Sequence, residues 1–388
     1  MDSYLDSTTD KVDALEAELK GSEVKPNGDF LDITYKGKNK SINATTGEIK
    51  QPLPVITSGQ KAPATSNAQY KSGNYTAIIP AGFTVSDIKV VNETTGKVEK
   101  DETTIETGLV IRDDAGNEFV WIPVNIPWKS DSNKIVTLSR YKFDDNGKPT
   151  DQGVNTIDNY YTELASSSYG NAVAKTDVTS ENGFIAKTNA AGGFWIGRYE
   201  ARVENWIGDV VTSNSSNAPS WTGYTEGKLV EKPEAQVFNF ITQNKASELS
   251  QTMYSANNYF ESDLINSYAW DTATLFLQEY DNRTNEVKDN SNYNAKYSGQ
   301  IRLSLGLKNN GTNASSITGA NKDKICNVYD MADNCQEWTT ETFGYSGIPC
   351  VKRGGSFLYG GCYTSLRGYN TTAYVSSDYS FRPVLYIK

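Results

Sequence analysis

From Tyr75 to the C-terminus the chain is written in short β-rich runs cut by Gly, Asp and Asn, and this limits the fold more than any single motif. Runs such as TAIIPAGFTV, GLVIRD and EFVWIPV have the length and composition of strands. DDAGNEF predicts a hairpin turn at Ala115–Asn117. GGFWIGRYEARV reads as a buried strand, and VKRGGSF and FRPVLYIK return the chain to strands at its end. Helical spacing is confined to Pro233 through about Gln278. There Val237, Phe240 and Ile241 are spaced as one helical face, and Ala269, Ala273, Phe276 and Leu277 form the apolar stripe of a second helix near Tyr268–Leu277. A further helix is expected near Tyr160–Ser167, inside a polar stretch at 127–190, while residues 279–322 read as loops. No repeat of fixed period is present. Short strands, two central helices and very long loops define an α+β domain. Connections of such length mark functional loops or a loop-dominated fold.

The first 74 residues read differently. Residues 2–20 predict one short helix. Leu5, Val12 and Leu19 recur at seven-residue spacing, Thr8 and Leu15 fall between them, Asp2 or Ser3 caps the start and Gly21 ends it. Such a helix is marginal alone, and it reads equally as an oligomerising stalk or as a frayed terminus. Residues 29–49 alternate as a small β unit with Gly37 as a turn residue. Residues 51–74, with Pro52, Pro54 and Pro63 among Ser, Thr, Gly and Asn, have linker composition. The expected organisation is therefore a heptad-like helix at 1–22, a β unit and linker at 23–74, and the main domain at 75–388.

Composition removes whole classes of chemistry. With 388 residues and 37% hydrophobic side chains there is ample material for a core. Histidine is absent, which excludes Ser-His-Asp and Cys-His nucleophiles, imidazole general bases and His-ligated metals. An enzyme built on this chain has to use Cys, Asp, Glu, Lys or Tyr. The 37 basic and 47 acidic residues give a net charge of -10, which repels phosphate backbones and argues against a nucleic-acid partner. No apolar run is long enough to cross a bilayer, and no basic start followed by an apolar stretch marks an export signal. The four cysteines, 326, 335, 350 and 362, crowd into the last sixth of the chain without a C-x-x-C knuckle. They predict one or two local disulfides and an oxidising location, the alternative being four buried thiols.

Four ordered pieces, EFVWIPV at 118–124, FWIGRYE at 194–200, NVYDMADNCQEW at 327–338 and RGGSF at 353–357, are closed by the strand SFRPVLYIK. Together they resemble the formylglycine-generating, sulfatase-modifying family, over about residues 75–388. The resemblance implies a variant C-type-lectin fold, preceded here by a short helical and β stalk. It also argues against the family's chemistry. Oxidase members carry a cysteine pair three and eight residues after the GGS strand, where this chain has Tyr359 and Thr364, with Cys362 out of register between them. The iron-dependent relatives need histidine ligands. The "GN" of the family pattern is Asp333–Asn334 here. The resemblance further implies a structural calcium site, with carboxylates from Asp330 and Glu337 and main-chain oxygens from Asp333 and Cys335. The alternative is that Asp330 and Glu337 pair with Arg353 or Arg382.

A binding scaffold is what remains. The same fold carries retroelement-diversified ligand-binding proteins of phages and bacteria, whose variable residues follow the GGS strand. The matching stretch here is LYGGCYTSLRGYNTTAYVSSDYS, 358–380, in a chain with 24 tyrosines. Its composition is that of a paratope: Tyr gives contact area at low entropy cost, and Ser, Asn and Gly adapt their hydrogen bonds. The candidate ligand-binding residues are Tyr359, Tyr363, Ser365, Arg367, Tyr369, Asn370, Thr372, Tyr374, Ser376 and Asp378. Trp121, Trp195, Trp270 and Trp338 are expected in the core, and Arg198, Glu200, Arg353 and Arg382 in buried pairs. The expected function is a non-enzymatic, surface-displayed binding protein, extracellular or on a cell or virion surface. Its expected ligand is a protein or glycan on another cell, and the N-terminal helix is expected to oligomerise it. The competing readings are an oxidase or transferase using Cys362 as a lone thiol, and a structural phage-tail or pilus component.

Overall fold

The computed structural model describes residues 53–143, 149, 160–203, 229–232, 235–281, 324–331, 334–356 and 364–388, together with short strand backbones within 23–50 and 293–318. Residues 1–54 make one compact unit and 55–388 a second. In the first, strands Glu23–Asn27, Phe30–Tyr35, Lys38–Asn43 and Ile49–Lys50 form an antiparallel meander, with Tyr35 paired to Lys38 on either side of the expected turn residue Gly37. The helix expected at 2–20 lies outside the described residues.

The second unit is built on two sheets. In chain order their strands are β1 (Thr84–Val85), β2 (Val110–Arg112), β3 (Glu118–Pro123), β4 (Tyr161–Thr162), β5 (Gly193–Gly197), β6 (Phe260–Leu264), β7 (Gln336–Phe343), β8 (Cys350–Arg353), β9 (Arg367–Asn370), β10 (Tyr379–Phe381) and β11 (Pro383–Ile387). The first sheet runs β6-β11-β5-β3-β2-β1. The second runs β4-β7-β8-β9, with β10 parallel to β7. Among the described residues three helices accompany them: α1 (Phe184–Ala191), α2 (Gln243–Thr252) and α3 (Ser267–Glu279). The result is an α+β domain in which strands dominate.

The first sheet is covered on both faces, so β5 and, after Glu118, β3 are apolar instead of alternating. Val120, Ile122, Phe194 and Ile196 pack toward α3, while Phe119, Trp121, Trp195 and Leu385 pack toward Ala68, Tyr70, Ala77 and Ile79. Trp121 and Trp195 are cross-strand partners with ring centroids 5.0 Å apart, and the indole N–H of Trp195 donates to the Ile78 carbonyl at 2.9 Å. Each such fully buried side chain contributes on the order of 1.5–3 kcal/mol. All four motif tryptophans are fully buried, as expected. The hairpin at Ala115–Asn117 forms as read, with Gly116 at φ 84° and Asp113 accepting from the Asn117 amide at 2.8 Å.

Several readings need correction. Residues 55–74 are not a linker throughout. Val55–Ile56, Ala68–Ser72 and Tyr75–Ile79 form a three-stranded sheet of the main unit, because Ala68, Tyr70, Ala77 and Ile79 alternate inward between the polar residues. The helix expected near 160–167 is instead the short strand β4, paired with Thr342 and Phe343. Val237, Phe240 and Ile241 are buried but not helical. Phe240 has φ 53°, and α2 begins only after Thr242, whose hydroxyl accepts from the Lys245 amide. The second central helix stands, capped by Asn266. It is buried around most of its circumference, including Asp271, Thr272 and Thr274. Helix α1, hidden in a polar stretch, ends on Gly192 in the left-handed region. Cys326, Cys335 and Cys350 are buried and none is in a disulfide, so the disulfide expectation fails for them. Cys362 lies outside the described residues.

Candidate functional site

Strand β9 is where the C-terminal candidates gather, and its alternation divides them. Arg367 pairs across to Arg353 and Tyr369 to Val351, while Gly368 and Asn370 pair to Lys352 and Cys350. Successive side chains of a strand point to opposite faces. One face of the sheet therefore carries Arg367 and Tyr369, and the other carries Asn370.

On the first face, Arg367 does not reach outward. Its guanidinium donates to Glu341 at 3.0 Å and to Asp271, a residue of the buried helix α3. Arg353 donates to Glu341 at 3.2 Å and also to Asp271, and Arg140 donates to Glu341 at 2.5 Å. Burial opposes ionisation of Glu341, but the guanidiniums of Arg367, Arg353 and Arg140 outweigh it and hold its carboxyl down to about 2. The guanidinium of Arg367 is thus engaged by two buried carboxylates. Beside it, Tyr369 lies flat on Phe343, with ring centroids 4.2 Å apart and planes inclined by 8°. Tyr161 and Tyr160 tilt against the same Phe343 ring at 5.0 and 6.0 Å. Tyr160, Tyr345 and Tyr369 are 58%, 64% and 44% exposed, so this aromatic group faces solvent.

On the opposite face, Tyr374 leans on the buried Tyr379 with centroids 5.1 Å apart, and Lys352 Nζ sits 4.0 Å over the Tyr379 ring. The Asn370 amide is 3.5 Å from the Tyr379 hydroxyl. Asp378 is buried and accepts from Ser356 at 3.0 Å and from Ser376. Asp378 and Ser376 therefore hydrogen-bond within the loop, with Ser376 half-buried. Ser365 and Thr372 are half-buried, and the Ser365 carbonyl accepts from Arg353. Tyr359 and Tyr363 lie outside the described residues. Of the sequence candidates, Tyr369 and Tyr374 are exposed tyrosines, on the two sides of one sheet edge. Sequence reasoning missed Tyr160, Tyr161, Phe343 and Tyr345. Their only signal is aromatic residues at strand ends, and the pairing of β4 with β7 that joins them is long-range.

Of the expected calcium ligands, Asp330, Cys335 and Glu337 are described. Both carboxylate oxygens of Glu337 accept from Arg382, at 2.7 and 2.5 Å. The Cys335 amide donates to Glu200 at 2.8 Å, and Asn334 donates to the same carboxyl. Asp330 is buried at φ 62°, and Asp333 lies outside the described residues. Among the described residues no group of three or more carboxylate or thiol side chains is placed to hold a metal ion. Glu337 is paired with Arg382, the alternative to calcium that the sequence left open. Burial, then the neighbouring Asp330 and Glu337, push the Glu200 carboxyl well above its ordinary range. Nearby Glu231 is fully buried, and burial raises it as well. Burial also pushes the Cys335 thiol far up and Cys350 to about 12, so neither supplies a thiolate. The remaining expected pairs form: Arg198 binds Glu102 at 2.9 Å and Glu118 at 2.7 Å.

The structure is similar to proteins of the formylglycine-generating, sulfatase-domain type and to retroelement-diversified variable proteins. Among the first, PvdO from Pseudomonas aeruginosa is 11% identical, covering 71% of this chain and 97% of that one at a TM-score of 0.37. CarF is 14% identical, covering 50% and 87% at 0.34. Among the second, the major tropism determinant U1 variant is 13% identical, covering 94% and 83% at 0.27. No protein-family model and no curated protein matches the chain. At TM-scores this low the likenesses carry no functional argument, and the site has to be read from the chain's own residues. No helix among the described residues is long and apolar enough to cross a membrane.

Proposed function

We propose that this is a non-enzymatic ligand-binding protein of the receptor or adhesion type, displayed outside the cell or on a virion, whose contact surface is the tyrosine-lined edge of the second sheet. The observation that supports it most is the pairing of exposed tyrosine rings with an immobile base. Tyr369 rests on Phe343, and the neighbouring Arg367 is locked into a buried network of five charged groups. Rings held in place lose little entropy on binding, which is the economy of a preformed binding surface. Burial raises the thiols of Cys335 and Cys350, while Cys362, on which the competing thiol-enzyme reading rests, lies outside the described residues. The test is adhesion of intact bacterial cells to the immobilised full chain. Tyr369→Ala and Tyr374→Ala are expected to reduce the cells retained while leaving the melting temperature within about 2 °C, since partly exposed rings contribute little to the core. Retention unchanged in both variants refutes the proposal. A fall in melting temperature that accounts for the loss places these rings in the fold instead.

A further inference from the structure

We infer that Tyr160, Phe343, Tyr345 and Tyr369 form a stacking platform for the pyranose rings of an uncharged glycan. This rests on the binding reading and names the ligand class that one face of the sheet edge takes. Tyr369 spends one ring face on Phe343, in a near-parallel stack at 4.2 Å, yet is still 44% exposed, so its other face is presented to solvent. Tyr160 and Tyr161 hold the same Phe343 from the side. Strand pairing fixes the arrangement: Tyr161 opposes Phe343 across β4 and β7, and the Gly344 amide donates to the Tyr160 carbonyl at 2.6 Å.

An aromatic face carries the negative side of the ring quadrupole. It attracts the positively polarised C–H groups that line one side of a pyranose, as it attracts a cation. The surroundings select against a charged ligand. The cation nearest Tyr369 along the strand is Arg367, and its guanidinium is turned inward on Glu341 and Asp271. Arg353 and Arg140 are spent on the same two carboxylates. Among the described residues Tyr160, Tyr345 and Tyr369 are exposed, and each ring ends in an uncharged hydroxyl that can donate or accept. None of the exposed large apolar side chains on this platform is aliphatic, whereas protein contact cores add methionine, arginine and aliphatic packing to their aromatics. The adjoining loop is low. Gly344, Tyr345, Ser346 and Gly347 are exposed, and nothing lies within 4 Å of a side chain placed at Gly347.

The experiment uses the full chain and neutral oligosaccharides: gluco-, manno-, galacto- and chito-oligomers. Saturation-transfer NMR is expected to show transfer to ring C–H protons of at least one series. Tyr369→Ala and Tyr160→Ala should each weaken that binding by about tenfold at unchanged melting temperature, and Tyr369→Phe, which keeps the ring, should retain most of it. Absence of transfer from every series, or binding indifferent to the Tyr160→Ala/Tyr369→Ala double variant, overturns the inference. Cell-adhesion assays then separate the two levels. Adhesion abolished by periodate treatment of the cells supports a glycan. Adhesion that survives periodate but not protease assigns a protein ligand, which overturns the glycan inference and leaves the binding proposal standing. No adhesion to any cell tested overturns both.

Discussion

Glu341 is the residue on which the second sheet's buried charge network turns, and replacing it by glutamine tests that reasoning directly. Its carboxylate accepts from Arg140, Arg353 and Arg367, and Asp271 is the other anion facing the last two. Glutamine keeps the shape and removes the charge, leaving three guanidiniums around one carboxylate. The displacement of Glu341 from 4.5 to about 2 corresponds to roughly 3 kcal/mol of preference for the charged form in the fold. Glu341→Gln should therefore lose about 3 kcal/mol or more at pH 7, since uncompensated buried cations add to it. The pH dependence has a definite sign. The folded value lies below the unfolded one, so the stabilisation is fully present above about 4.5 and is lost as pH falls through about 2. Urea titrations followed by tryptophan fluorescence at pH 7 and at stepped lower pH measure both quantities. The gap between wild type and Glu341→Gln should be widest at neutral pH and close toward pH 2. A variant as stable as wild type at pH 7, or a gap independent of pH, refutes the account.

Asp263 works in the opposite sense. Burial outweighs the amides of Lys175 and Leu264 and the side chain of Gln251, and pushes its carboxyl up to about 7. Its folded value lies above the unfolded one, so the fold binds the proton between them, and stability from this group declines as pH rises from about 4 through 7. Asp263→Asn should flatten that decline in urea midpoints, and an unchanged slope counts against it. Gly108 has φ 88°, and a Cβ there would fall 1.7 Å from the Cys326 carbonyl oxygen. Gly108→Ala should cost about 3 kcal/mol or more, and a melting temperature equal to wild type would show that the backbone is not so closely packed. The thiols of Cys335 and Cys350 should resist alkylation in the native protein and react on unfolding without reductant, read by mass spectrometry. A requirement for reductant would reveal disulfides.

Local signals were legible where a strand or cap is decided by its own residues. EFVWIPV and GGFWIG could be read as strands because each carries an unbroken apolar run, and the hairpin at Ala115–Asn117 because Gly116 suits a left-handed turn. Val237, Phe240 and Ile241 misled because helical spacing and burial on both sides of an extended segment give the same pattern. Short apolar runs are ambiguous in this way. The 68–79 hairpin was hidden by the prolines and serines before it.

The sequence by itself determined what chemistry is excluded: a chain without histidine forms no imidazole base or ligand whatever its fold. It also determined that the C-terminal stretch is rich in tyrosine. Only the tertiary structure decided which of those residues face solvent. Arg367 and Tyr369 are two positions apart on one strand face, yet one guanidinium is buried against Glu341 and Asp271 while the ring beside it is presented to solvent. That difference comes from α3 and β7, which are distant in sequence and place two carboxylates beneath the arginine and Phe343 beneath the tyrosine. Charge seeks its counter-charge and a ring seeks its stacking partner through space, and the linear order of residues records neither distance.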